Sequence, residues 1–119
     1  MSSVSDTEQE AGIFAWCLDT DTAYGDTAIA DLFGLDPDKT VNGLPISSYM
    51  ERIYADDRLE VGRKISEAVI NGLPYRAEYR VLDAKNTVRH VMAFGRCFRN
   101  QSGNPVHYAG IVHPVDDLS

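Results

Sequence analysis

The sequence has little with which to act by charge, redox chemistry or insertion into lipid. Only two of its 119 residues are cysteine, Cys17 and Cys97, far apart and without a CxxC. That spacing argues against a disulfide or metal site and suits free thiols in a reducing compartment, packed as small apolar side chains. Basic residues are outnumbered, with 11 Lys and Arg against 18 Asp and Glu and a formal charge of −7. A nucleic-acid partner needs a basic face, so none is expected. No apolar run approaches the roughly 18 residues that span a bilayer, so no membrane partner is expected either. The opening MSSVSDTEQE lacks the basic and apolar regions of a signal peptide, and the expected location is the cytoplasm. Walker loops, G-x-S-x-G, HExxH and internal repeats are missing as well.

What is present is ordinary for one globular domain: 44% hydrophobic and 24% charged residues. Residues 1–11 read as a flexible or weakly helical arm, 12–115 as the domain and 116–119 as a tail. GIFAWCLDT and TAYGD are dense in strand formers and predict a β-hairpin over 12–24. Asp26 and Thr27 can cap a short helix carrying Ile29, Leu32 and Phe33, which Gly34 ends. Asp36-Pro37 supplies an N-cap and a first-turn proline, for one helical turn at most. Ile46, Tyr49, Met50 and Ile53 line one face of another short helix. A longer one runs from about Asp57 to Asn71, with Val61, Ile65, Ala68 and Val69 inward and Gly72 and Pro74 as its stop.

The period then changes to two. YRAEYRVLD alternates Tyr75, Ala77, Tyr79 and Val81 against Arg76, Glu78 and Arg80. VRHVMAFGRCFRN and PVHYAGIVHPV follow across the turns DAKN and QSGN. The predicted fold class is α+β: a five-stranded antiparallel sheet with short helices on one face and a meander of the last three strands.

Four sets of residues are candidates for function. The first is Asp56, Asp57 and Arg58 beside Tyr54, which has the look of an acid/base centre. Neighbours at a helix start point about 100° apart, however, and do not converge. The expected role of Asp57 is as a helix cap, accepting from the Glu60 N–H while Glu60 completes a capping box. The second set, His90, His107 and His113, falls on the strand phase opposite to Val91 and Val112, outward and without the cluster zinc requires. The third is a candidate pocket: Tyr79, Val81, Val91, Ala93 and Val112 on the strands facing Met50, Ile53 and Ile65 on the helices. It would take a small apolar organic ligand, or these side chains simply fill the core. The fourth is the opposite sheet face, where Met92, Phe94, Phe98, Ala109 and Ile111 form an apolar patch suited to a homodimer, or to cover by the N-terminal arm.

Taken in order, these segments resemble the PAS sensor domains over Gly12 to about Val115. The carriers are GIFAWCLDT, DLFGLDP, GLP, and IYADDRLEV, which is similar to the family's I-H-P-D-D-R-x-x-V. NGLPYRAEYRV, VRHV and GNPVHYAGIV follow. Tyr54 and Ala55 depart from the family's His-Pro, Ala84 to Asn86 from its Asp-Gly turn, and Pro114 from the aspartate of its usual exit motif. The resemblance implies a non-catalytic sensory or protein-interaction module of a bacterial two-component system. With the exit motif missing, it would act in trans on a signalling partner such as a histidine kinase. It also implies no haem, because the long helix has no histidine. Flavin is not expected either: LPISSYMERIY has no cysteine, and Val81, Val91 and Val112 stand where polar side chains would hold the ring. A ligand-free dimerisation or scaffold module is the alternative, with a small enzyme using Tyr54, Asp57 and Arg58 behind it.

Overall fold

The computed structural model describes residues 11–115; all but the last residue of the expected arm over 1–11, and the tail over 116–119, lie outside the described residues. Five strands form one antiparallel sheet: β1 (Gly12–Cys17), β2 (Thr22–Gly25), β3 (Tyr75–Leu82), β4 (Val88–Arg99) and β5 (Pro105–Pro114). Their order is β2-β1-β5-β4-β3, so the predicted hairpin and meander are both present and meet where β1 pairs with β5. Gly12 partners Val112 and Cys17 partners His107 along that central seam.

Four helices connect β2 to β3: α1 (Thr27–Phe33), α2 (Pro37–Asn42), α3 (Ile46–Met50) and α4 (Ala55–Asn71). Asp26 caps α1 as expected, Oδ1 accepting from the Ile29 N–H at 3.0 Å while Oδ2 accepts from the Ile13 N–H at 3.1 Å. One carboxylate thereby satisfies a helix start and ties it to β1. Gly34 closes α1 in the left-handed conformation, φ 66°. Asp36 caps α2, which is a six-residue helix rather than the single turn expected. The extra length is held by Thr40, fully buried, whose hydroxyl donates to the Asp36 carbonyl at 2.7 Å.

The alternation of β3 is clean, with Tyr75, Ala77, Tyr79 and Val81 buried. These side chains meet Val91, Ala93, Tyr108 and Val112 from the neighbouring strands, and Ile29, Phe33, Tyr49, Val61 and Ala68 from the helices. Burial of apolar area on this scale drives the fold. The loop between α3 and α4 covers part of the β3 edge: Tyr54 N–H donates to the Arg80 carbonyl and Leu82 N–H to the Arg52 carbonyl, at 2.8 and 2.9 Å. Both cysteines are free and half-buried, Cys97 against the core and Cys17 outward. The Thr20 hydroxyl, hydrogen-bonded to Cys17, lowers that thiol's pKa. Among the described residues no helix is long and apolar enough to cross a membrane.

Candidate functional site

An apolar space of about 60 Å³ lies between the inner face of the sheet and the helices. Six of the eight expected pocket residues line it: Met50, Ile53, Ile65, Tyr79, Ala93 and Val112. Val81 and Val91 do not. Both are completely buried and packed within the core, and an isolated bridge pairs Val81 with Ile53. Strand phase identifies an inward side chain but not the place where packing is incomplete. The lining also contains residues that sequence reasoning missed, chiefly Phe14, Trp16, Tyr49, Tyr75 and Tyr108. The signal for two of them was available, since Tyr75 shares the phase of Tyr79, and Tyr108 that of Val112.

Aromatic rings form much of the wall. Tyr108 stacks on Phe14 at 6.0 Å and meets Trp16 and Tyr75 edge-on at 6.3 and 5.6 Å. Tyr49 donates its hydroxyl to the Ala23 carbonyl at 3.0 Å, and burial pushes its pKa up to about 12. The hydroxyls of Tyr75 and Tyr108, by contrast, are buried and find no hydrogen-bond partner among the described residues. Burial raises the pKa of both, and raises that of Tyr79, which Tyr75 and Tyr108 also push upward. All three phenols therefore stay protonated over the physiological range.

The acidic pair lies elsewhere and corrects the capping expectation. Tyr54 is the N-cap of α4, no side chain caps it, and the helix begins at Ala55. Asp57 instead reaches across to β3. Its Oδ2 accepts from the Arg80 backbone N–H and Nε, both at 2.9 Å, and its Oδ1 accepts from Arg80 Nη2 at 2.7 Å. Arg80 in turn lies over the Tyr54 ring at 4.4 Å. Glu60 closes no capping box; its carboxylate pairs with Arg63 on the helix surface. A bidentate pair that also satisfies an edge-strand N–H outweighs a local cap. Nor do Tyr54, Asp57 and Arg58 form a cleft, because Arg58 donates to the Ile53 and Glu51 carbonyls. The Arg80 guanidinium holds Asp57 below the usual carboxylate range, the wrong direction for a general acid.

The depressed Asp57 pKa fixes the sign of its pH dependence. Its stabilisation is fully present above the unfolded value of about 4 and is lost as pH falls through the lower folded value. Asp57→Asn should cost roughly 1 kcal/mol at pH 7, since the pair is partly exposed and screened. Melting curves of variant and wild type should converge below about pH 4. A gap that persists unchanged at pH 2 would show that the carboxylate charge is not the cause.

The outer sheet face carries the expected patch. Phe98 and Ile111 are exposed, while Met92, Phe94 and Ala109 are half-buried. Ile13, Ile111 and Phe94 form a cross-strand row, and Phe94 stacks on His113 at 5.8 Å with Arg76 over its ring. His90 and His107 are exposed as expected. Among the described residues no three His, Cys, Asp or Glu side chains group as metal ligands.

Of the three valines expected where polar side chains would hold a flavin ring only Val112 lines the space, and α4 carries no histidine.

Comparison with solved structures finds the same fold in other proteins. The chain is 23% identical to a sensory box histidine kinase/response regulator from Burkholderia thailandensis E264, with a TM-score of 0.78 over 98% of this chain and 83% of that one. The N-terminal domain of a diguanylate cyclase with PAS/PAC sensor from Marinobacter aquaeolei is 17% identical, with a TM-score of 0.77 over 87% and 93%. An RNA-binding light-oxygen-voltage receptor is 20% identical with a TM-score of 0.75, over 92% of this chain and 30% of the receptor. At these identities the likeness shows the fold alone. No curated protein matches the chain by sequence. A family profile described as PAS fold matches residues 22–112, a run from the β1–β2 hairpin to the buried Val112. That run holds α1 to α4, the meander and most of the cavity wall, so the chain belongs to the PAS-fold family, whose members are non-catalytic sensory modules of signal transduction.

Proposed function

We propose that the protein is a sensory and protein-interaction module that takes a small apolar ligand between sheet and helices and acts in trans. The supporting observation is the apolar space itself, placed where α4 lies on β3, β4 and β5. A ligand there would change the packing of helix on sheet, and the outer face would carry that change to a signalling partner such as a histidine kinase in the cytoplasm. Neither haem nor flavin belongs to this reading. The outer face also suits an isologous homodimer: Ile13, Phe98 and Ile111 are 63%, 54% and 39% exposed and belong to one sheet surface.

A ligand-free scaffold is the second reading, favoured by the small size of the space. Native mass spectrometry of protein purified from its own cell separates the two. A dimer carrying a small-molecule adduct is expected; a bare dimer supports the scaffold. Light scattering on Phe98→Glu should then report a monomer, while a wild-type monomer removes the dimer altogether.

A further inference from the structure

The charges of this chain are unevenly placed. Asp and Glu outnumber Lys and Arg by 18 to 11, yet the five strands hold five arginines, all three histidines and one carboxylate, Glu78. Arg89 and Arg99, near the ends of β4, are engaged by Asp83 and by the Val69 carbonyl, and Arg80 is held by Asp57. Arg76 and Arg96 are exposed and, among the described residues, have no carboxylate partner. Both flank the apolar row of the outer face. Arg76, Phe94, Ile111 and Ile13 stand directly opposite one another on β3, β4, β5 and β1, and Arg96 stands opposite Ala109 in the next outward row. At the usual strand spacing a row of four is about 14 Å long, the length of about ten residues of helix.

We infer that the outer sheet face docks an acidic amphipathic helix of a partner protein, its apolar stripe on Phe94, Ile111 and Ile13 and its carboxylates against Arg76 and Arg96. This inference rests on the reading of that face as the surface that meets a signalling partner, and names the partner's chemistry. A helix follows from the kind of surface. The backbone groups of β4, β5 and β1 are paired within the sheet, so what remains to be covered is a layer of side chains, which a helix covers with one stripe. Acidity follows from the charges, because complementary sign steers encounter and fixes orientation. A second copy of this chain fits less well, since it brings the same arginines to the contact and only Glu78 to oppose them. A nucleic acid or an anionic membrane would also meet the carboxylates of a chain with a formal charge of −7. A single helix need touch only the basic face.

Two synthetic helical peptides of about 15 residues test this, each titrated by NMR into the full chain. Both carry leucine along one face; one has glutamate on its flanks and the other lysine. The glutamate peptide should shift the amide signals of Ile13, Phe94 and Ile111, bind about tenfold tighter than the lysine peptide, and weaken as salt is raised. Arg76→Gln and Arg96→Gln together should weaken it by about tenfold with the melting temperature unchanged, as both side chains are exposed. Lys85→Gln, in the β3–β4 turn and off this face, should leave the affinity as it is. A lysine peptide that binds equally well, or a glutamate peptide indifferent to the two arginines, removes the acidic chemistry and leaves the docking face standing. Concentration-dependent shifts of the same amides that the peptide cannot displace assign the face to a second copy. Contacts from residues 1–10 that it cannot displace assign the face to the chain's own arm, and binding to phosphatidylserine vesicles alone assigns it to a membrane. In each of these three cases the inference falls. If nothing occupies the face, the docking reading falls together with it.

Discussion

Arg52→Ala should lower stability by about 3 kcal/mol, or roughly 10–15 °C in melting temperature. The side chain joins the end of α1 to the β3–β4 turn. Its Nε donates to the Phe33 carbonyl at 2.8 Å, at the end of α1, where a cation also complements the helix dipole. Its Nη2 donates to the Leu82 and Asp83 carbonyls at 3.0 and 2.9 Å and to Asn86 Oδ1 at 3.2 Å, in the β3–β4 turn. Charged hydrogen bonds of this kind contribute more than neutral ones, and truncation leaves their partly buried acceptors without a donor. Arg52→Lys should recover only part of the loss, because one ammonium cannot span both ends of the fork. Thermal denaturation followed by circular dichroism measures both. A loss under 1 kcal/mol for the alanine variant would mean that water replaces the guanidinium at little cost.

Gly110→Ala should be more damaging still, by 4 kcal/mol or more, a large share of the roughly 5–15 kcal/mol that holds a domain together. Gly110 lies opposite Gly95 at the centre of the sheet. An added Cβ would collide with the Phe94 carbonyl oxygen and come within 2.6 Å of the Gly95 Cα. Both are backbone atoms of β4, so relief requires opening the ladder itself. Gly95→Ala is the instructive contrast. Its Cβ would meet the Tyr108 ring at 2.7 Å, and that ring can tilt towards the cavity. A smaller cost of about 1–3 kcal/mol is expected, as for other overpacked sites. Gly103→Ala serves as the loop control: nothing lies within 4 Å, but its φ of 86° disfavours a side chain, for about 1 kcal/mol. Urea titration of the three variants should give that order. Equal losses at Gly95 and Gly110 would show that Tyr108 cannot yield.

The order of elements, the sheet meander and the caps at Asp26 and Asp36 were legible in the sequence, because each rests on residues a few positions apart. Asp57 was misread for the same reason in reverse. Capping logic searches three residues ahead for a backbone donor, whereas the partner that wins is Arg80, twenty-three residues on and on another element. The pocket was half legible. Alternation identified Tyr79, Ala93 and Val112 as inward, but Val81 and Val91 are inward too and meet no open space. Trp16 and Phe14 were missed because their place at the cavity depends on how β1 lies beside β5, a pairing that no local pattern specifies.

That pairing also sets the order in which the molecule can assemble. The first and last strands are neighbours at the middle of the sheet, so the free edge of the β1–β2 hairpin has no strand partner until β5 has been synthesised. A ribosome-bound chain would carry the β1–β2 hairpin exposed while α1 to α4 and the β3–β4 pair formed from more local contacts. Closing the long loop between Gly12 and Val112 is then the late, slow step, in keeping with the cost of non-local pairing. The aromatic wall that Phe14 and Trp16 contribute to the cavity arrives only with that step. An immature or locally opened chain would therefore have a sheet and helices but no enclosed site, and would be silent to its ligand until the central seam closed.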